Sequence, residues 1–102
     1  MDKIAMLNEI LAAQPGDAFA RYGLAMEHAS QGNVDTSLAE FSRLLAEHPD
    51  YTAGYFMAAQ TLAKAGRTDE AKQRLHEGIA SARATGNAHA LSEMQAMLDE
   101  LE

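Results

Sequence analysis

From Leu91 through Met94, Met97 and Leu98 to Leu101, apolar residues recur every three or four positions, which places them on one stripe of a helix. Phe19, Tyr22 and Met26 keep the same kind of spacing, while Leu24 and His28 fall on a different face of their segment. Punctuation separates these segments at regular places. The two prolines, Pro15 and Pro49, lie 34 residues apart, and a proline ring removes the preceding helical hydrogen bond. Gly32 and Gly66 fall at the same interval and are expected to close helices in the left-handed conformation. Asp35 and Asp69 follow as the expected N-caps of the next helices. Together these marks predict six helices, over about residues 2–13, 18–31, 35–47, 52–65, 69–84 and 88–101.

The interval is a repeat. Gln31–Phe41 reads QGNVDTSLAEF and Ala65–Leu75 reads AGRTDEAKQRL, so that glycine lies over glycine, aspartate over aspartate and Phe41 over Leu75. Leu7 and Leu11 stand 34 residues before Phe41 and Leu45, so the first helix corresponds by phase to the second helix of a unit. A helix-turn-helix period of this length resembles the tetratricopeptide repeat family. The resemblance is carried by Leu24, Ala25, His28, Gly32, Ser37, Phe41, Leu44 and Pro49 in the unit beginning at Ala18. Tyr55, Ala58, Ala59, Leu62, Gly66, Ala71, Leu75 and Gly78 carry it in the unit beginning at Thr52. It covers residues 15–83, and the flanking helices by phase. Arg21 departs from the family, which often has tryptophan there, and His28 stands where tyrosine is common. These two imply that the first unit meets the N-terminal helix with a more polar face. Arg83 replaces an expected third proline, so the fifth helix should run on.

The resemblance implies an all-α fold in which antiparallel helix pairs stack as a short right-handed solenoid. Residues 1–102 are then one domain: 1–14 a half-repeat helix, 18–51 and 52–85 two repeats, and 87–102 a capping helix. Such units do not bury their apolar faces singly, so both flanking helices are expected to act as caps. Composition agrees with the helices: alanine and leucine are abundant, and valine occurs once, at Val34.

Charge and missing residue types narrow the function classes. A formal charge of −7 opposes binding to phosphate backbones and anionic lipid, so neither nucleic acid nor membrane is an expected partner. The absence of cysteine removes disulfides, thiolate metal sites and cysteine nucleophiles. No apolar run approaches a membrane span and the first residues do not read as a secretory leader, so a soluble, cytoplasmic protein is expected. His28, His48, His76 and His89 have no metal-binding spacing, and GxSxG, HExxH and phosphate-cradling glycine loops are missing. No cofactor and no enzymatic activity are expected.

By the resemblance, the first helices of the units line a concave groove. Its facing positions are Phe19, Tyr22, Met26, Ala29 and Ser30 in the first unit, and Ala53, Phe56, Gln60, Ala63 and Lys64 in the second. Phe19, Tyr22, Met26, Phe56, Gln60 and Lys64 form the candidate peptide-binding set. Aromatic and methionine side chains supply large, adaptable contact area. A neighbouring helix could use that area as well as a ligand could, and for Tyr22 and Phe56 both uses stay open. Ala25, Ala59, Ala71 and Gly78 read as packing residues. A clamp for a C-terminal carboxylate is not expected, because only Lys64 and Gln60 could serve it. Arg67, Glu70, Lys72 and Arg74 read as a solvated face of weak pairs. The expected function is a non-enzymatic protein–protein interaction module for an extended or helical peptide. The alternative is a homodimer made through the same apolar surface or a terminal helix.

Overall fold

The computed structural model describes residues 2–102. They form α1 (Lys3–Ala13), α2 (Ala18–Ser30), α3 (Val34–Glu47), α4 (Thr52–Lys64), α5 (Thr68–Thr85) and α6 (Ala88–Leu101), with no strand among the described residues. Every expected helix is present with its ends within one residue of expectation, and α5 runs past Arg83 to Thr85. The chain divides into two compact units, one holding α1 to α3 (Met1–His48) and one holding α4 to α6 (Pro49–Glu102). In the first, α2 packs against both α1 and α3; in the second, α5 packs against both α4 and α6.

The turns follow from glycine. Gly32 and Gly66 have φ of 79° and 77°, which L side chains rarely adopt. In this conformation Asn33 N–H donates to the His28 carbonyl and Gly32 N–H to that of Ala29, while Arg67 and Gly66 do the same to Leu62 and Ala63. The last carbonyls of α2 and α4 are thereby satisfied by one shared motif.

The expected N-caps are corrected. α3 begins at Val34 and α5 at Thr68, so Asn33 and Arg67 hold the cap positions, and neither makes a side-chain cap bond. Asp35 and Asp69 lie inside the first turn, where their charge meets the positive end of the helix dipole. The glycine turn delivers the chain to helical geometry two residues earlier than an aspartate cap would. Side-chain caps occur elsewhere: Asp2, Asp17 and Asn87 accept from the backbone N–H of Ala5, Ala20 and Ala90.

In the first unit, Leu11, Ala20 and Leu24 form a core joined by Ile4 and Leu7. Leu7 packs on α2 beside Gly23, at an ordinary van der Waals distance of 3.5 Å from where a Cβ would stand. On the other side of α2, the buried Ser37 hydroxyl donates to the Ala25 carbonyl at 2.7 Å, and Phe41 and Leu44 are fully buried.

The second unit is closed by α6. A Cβ on Gly78 would lie 2.6 Å from the Cβ of Tyr55 and would collide with the Met94 sulfur, so only glycine admits this approach of helices. The Tyr55 hydroxyl and the Ser81 hydroxyl both donate to the Pro49 carbonyl at 2.8 Å. Burial, and secondarily the charge of Glu77, raises the Tyr55 pKa above its ordinary 10.0. Its folded-state neutrality therefore contributes stability that is complete below pH 10 and lost as pH rises through the folded value. Tyr55→Phe should cost about 1 kcal/mol near neutrality. It should also flatten the decline in stability above pH 10, measured by urea melts across that range. An unchanged alkaline decline would show that Tyr55 is not its source.

Candidate functional site

Three of the six expected site residues stand on α2 and three on α4. α2 gives its inner face to the core through Ala20, Leu24 and Ala25, which leaves Phe19, Tyr22 and Met26 on a separate stripe. Phe19 is 76% exposed, an unusual position for an aromatic ring. Met26 is half-buried. Tyr22 is also half-buried and meets Phe41 edge-on, with ring centroids 6.4 Å apart and planes at 68°. Burial raises the Tyr22 hydroxyl pKa. Tyr22 thus packs on its partner helix, the first of the two uses weighed for it from the sequence, and is only partly buried there. On α4, Phe56 and Gln60 are half-buried and Lys64 is exposed, at spacings that place all three along one stripe. The α2 stripe is apolar with one phenol, and the α4 stripe carries an aromatic ring with one amide and one ammonium.

The packing residues stand where expected: Ala25, Ala59 and Ala71 are 0% exposed and Gly78 is buried. The basic cluster resolves into local pairs, with Arg67 to Glu70 at 2.8 Å and Arg74 to Glu77 at 3.0 Å. The Arg67 hydrogen bond holds the Glu70 carboxyl below its usual range. Two shallow pockets lie in the second unit. One of about 290 Å³ is lined by Leu62, Glu70, Gln73, Arg74 and Glu77. The other, about 400 Å³, lies between α5 and α6 beside Ile79, Arg83 and Leu98. Among the described residues no group of three or more His, Asp or Glu is placed to hold a metal. No described helix is long and apolar enough to cross a membrane.

Arg21 was legible only as a departure from the family pattern, and the structure gives it a larger part. It is 4% exposed, pairs with Glu40 at 2.9 Å and donates to the Pro15 carbonyl at 3.1 Å. Its Nε has no hydrogen-bond partner, with Glu47 at 4.0 Å. The polar face expected toward the N-terminal helix is therefore used within the α2–α3 pair. A signal was present in the 34-residue register: Arg21 aligns with Tyr55, Glu40 with Arg74 and Glu47 with Ser81. Both Arg21 and Tyr55 reach back to the carbonyl of the proline six residues earlier.

Comparison with known proteins follows the same lines. A family model described as tetratricopeptide repeat matches residues 28–97. TPR repeat-containing protein PA0015 of Pseudomonas aeruginosa is 27% identical over 96 residues, covering 94% of this chain and 91% of its own. A tetratricopeptide repeat domain protein from Salinibacter ruber, solved by NMR, is 36% identical with a TM-score of 0.82, covering 87% of this chain and 90% of that one. PcrH, solved in complex with the chaperone binding region of PopD, shares the fold at 20% identity and a TM-score of 0.87, covering 96% of this chain and 74% of that one.

Proposed function

The chain belongs to the tetratricopeptide repeat family, and from that premise we propose that it is a non-enzymatic protein–protein interaction module holding a peptide or helical segment of a partner along the first-helix stripes. The ligand contacts are assigned to Phe19, Tyr22 and Met26 on α2 and to Phe56, Gln60 and Lys64 on α4. The observation that carries this reading is Phe19, an aromatic ring left 76% exposed on a stripe whose next members are only half-buried. PcrH, of the same fold, is solved in complex with the chaperone binding region of PopD, which supports a protein segment as the class of ligand.

Preorganised helices present such anchors without ordering cost on their own side. Truncating an anchor at an interface centre typically costs about 2 kcal/mol or more, roughly thirtyfold in affinity. The test compares the intact chain with a Phe19→Ala, Phe56→Ala variant in capture from the native host's lysate, followed by titration with the captured partner. The variant should keep its melting temperature within a few degrees and bind at least about tenfold more weakly. Equal binding by a folded variant would remove the stripes from the site. Self-pairing is the competing outcome: a dimer in sedimentation equilibrium that the variant abolishes would replace the ligand with a second copy.

A further inference from the structure

Among the described residues three large hydrophobic side chains are exposed, Met6 (48%), Ile10 (40%) and Phe19 (76%), and all lie on the α1–α2 pair. The repeat register explains two of them. Lys3, Met6, Leu7 and Ile10 on α1 stand 34 residues before Ser37, Glu40, Phe41 and Leu44 on α3. On α3 this is the face that α2 engages: Ser37 bonds to Ala25, Glu40 to Arg21, and the Phe41 ring meets Tyr22. Leu44 is consequently 0% exposed, whereas its counterpart Ile10 is 40% exposed. α1 uses instead Ile4, Leu7 and Leu11 to pack on Ala20 and Leu24. The face that a first helix covers in the next pair is open on α1.

Charge states what would fit. Residues 1–48 carry three Lys or Arg against seven Asp or Glu. Lys3, one of those three, is engaged with Glu27 at 3.6 Å, and Asp2 and Glu9 flank the open face. A second copy would bring the same excess of carboxylates to the same edge, whereas a cationic helix would meet charge of opposite sign.

We infer that the open face of α1, centred on Met6 and Ile10, receives an amphipathic helix of a partner protein, with an apolar stripe flanked by lysine or arginine, lying on α1 as α2 lies on α3. This surface is separate from the first-helix stripes proposed above and does not depend on them. The helix would seat its stripe on Met6 and Ile10 and direct its basic flanks toward Asp2 and Glu9.

The probe is a fluorescent lysine–leucine–alanine peptide about four turns long with leucines at i, i+3, i+4 and i+7, titrated against the full chain by anisotropy. A glutamate version of the same peptide serves as its control. The lysine peptide should bind and the glutamate peptide should not. Met6→Glu, Ile10→Glu should weaken binding at least tenfold even though it adds two negative charges, and Ser92→Glu, Ala96→Glu, which adds the same charge at exposed positions of α6, should not weaken it. The Met6 and Ile10 side chains are both well exposed, and Met6→Ala, Ile10→Ala provides a second, helix-favouring pair that should weaken binding in the same direction. No binding to the wild-type chain, or equal or tighter binding by the α1 glutamate pair, would overturn the proposal as general charge attraction. A wild-type dimer in sedimentation equilibrium, lost in the α1 glutamate pair, would overturn it in favour of a second copy.

Discussion

Deleting α6, residues 88–102, is expected to lower the melting temperature by at least about 15 °C or to leave a chain that aggregates. Met94 is 0% exposed and occupies the gap beside Gly78, while Leu91, Met97, Leu98 and Leu101 are half-buried. Full burial of one such side chain contributes roughly 1.5–3 kcal/mol, so one complete and four partial burials amount to about 6 kcal/mol before ordering entropy is subtracted. Even half of that is a large share of the roughly 5–15 kcal/mol that stabilises a domain, and each kcal/mol moves the melt by about 4–8 °C at this chain length. The deletion also leaves Gly78, Ile79 and Ala82 of α5 facing water, which is where aggregation would begin. Met94→Ala alone should cost about 2–4 kcal/mol by the cavity it leaves. Calorimetry and sedimentation measure both variants; a truncated chain that melts unchanged as a monomer would show that α6 contributes no cap.

Arg21→Ala is expected to destabilise the protein by about 2–4 kcal/mol in urea unfolding, slightly under the usual figure for breaking a buried pair because Glu40 keeps 19% side-chain exposure. The loss has two sources: the Glu40 carboxylate is left without its charge partner, and the Pro15 carbonyl loses its donor. The second unit indicates a repair. There Tyr55 occupies the Arg21 position and donates to Pro49, with no acid at the place of Glu40. Arg21→Tyr combined with Glu40→Gln should therefore recover most of the stability that Arg21→Ala removes. A double-mutant cycle between Arg21→Ala and Glu40→Ala should give a coupling of about 1–3 kcal/mol. Additive costs, or failure of the tyrosine pair to recover stability, would mean that Arg21 acts through bulk alone.

The two repeats show why some features could be read directly and others not. Gly32 and Gly66 announce their turns because positive φ is a demand that few residues meet, and that demand is local. Asp35 and Asp69 misled because N-cap and first-turn positions favour the same acidic residues, and the choice between them depends on where the glycine turn releases the chain. Tyr22 is intermediate. Its stripe is a matter of helical spacing, but its edge-on contact with Phe41 depends on how α3 returns against α2.

The sequence by itself determined the helices, the 34-residue register, the glycine turns and the small residues at which helices approach, because each is set by spacing along the chain or by one residue's own steric freedom. Only the tertiary structure decided that Arg21 is buried on Glu40, that Gly78 must be glycine for Tyr55 and Met94 to meet, and that Met6 and Ile10 stand open on α1. Burial and pairing depend on which face a neighbouring helix covers. A helical pattern specifies that an apolar stripe exists; packing settles which part of it still meets water.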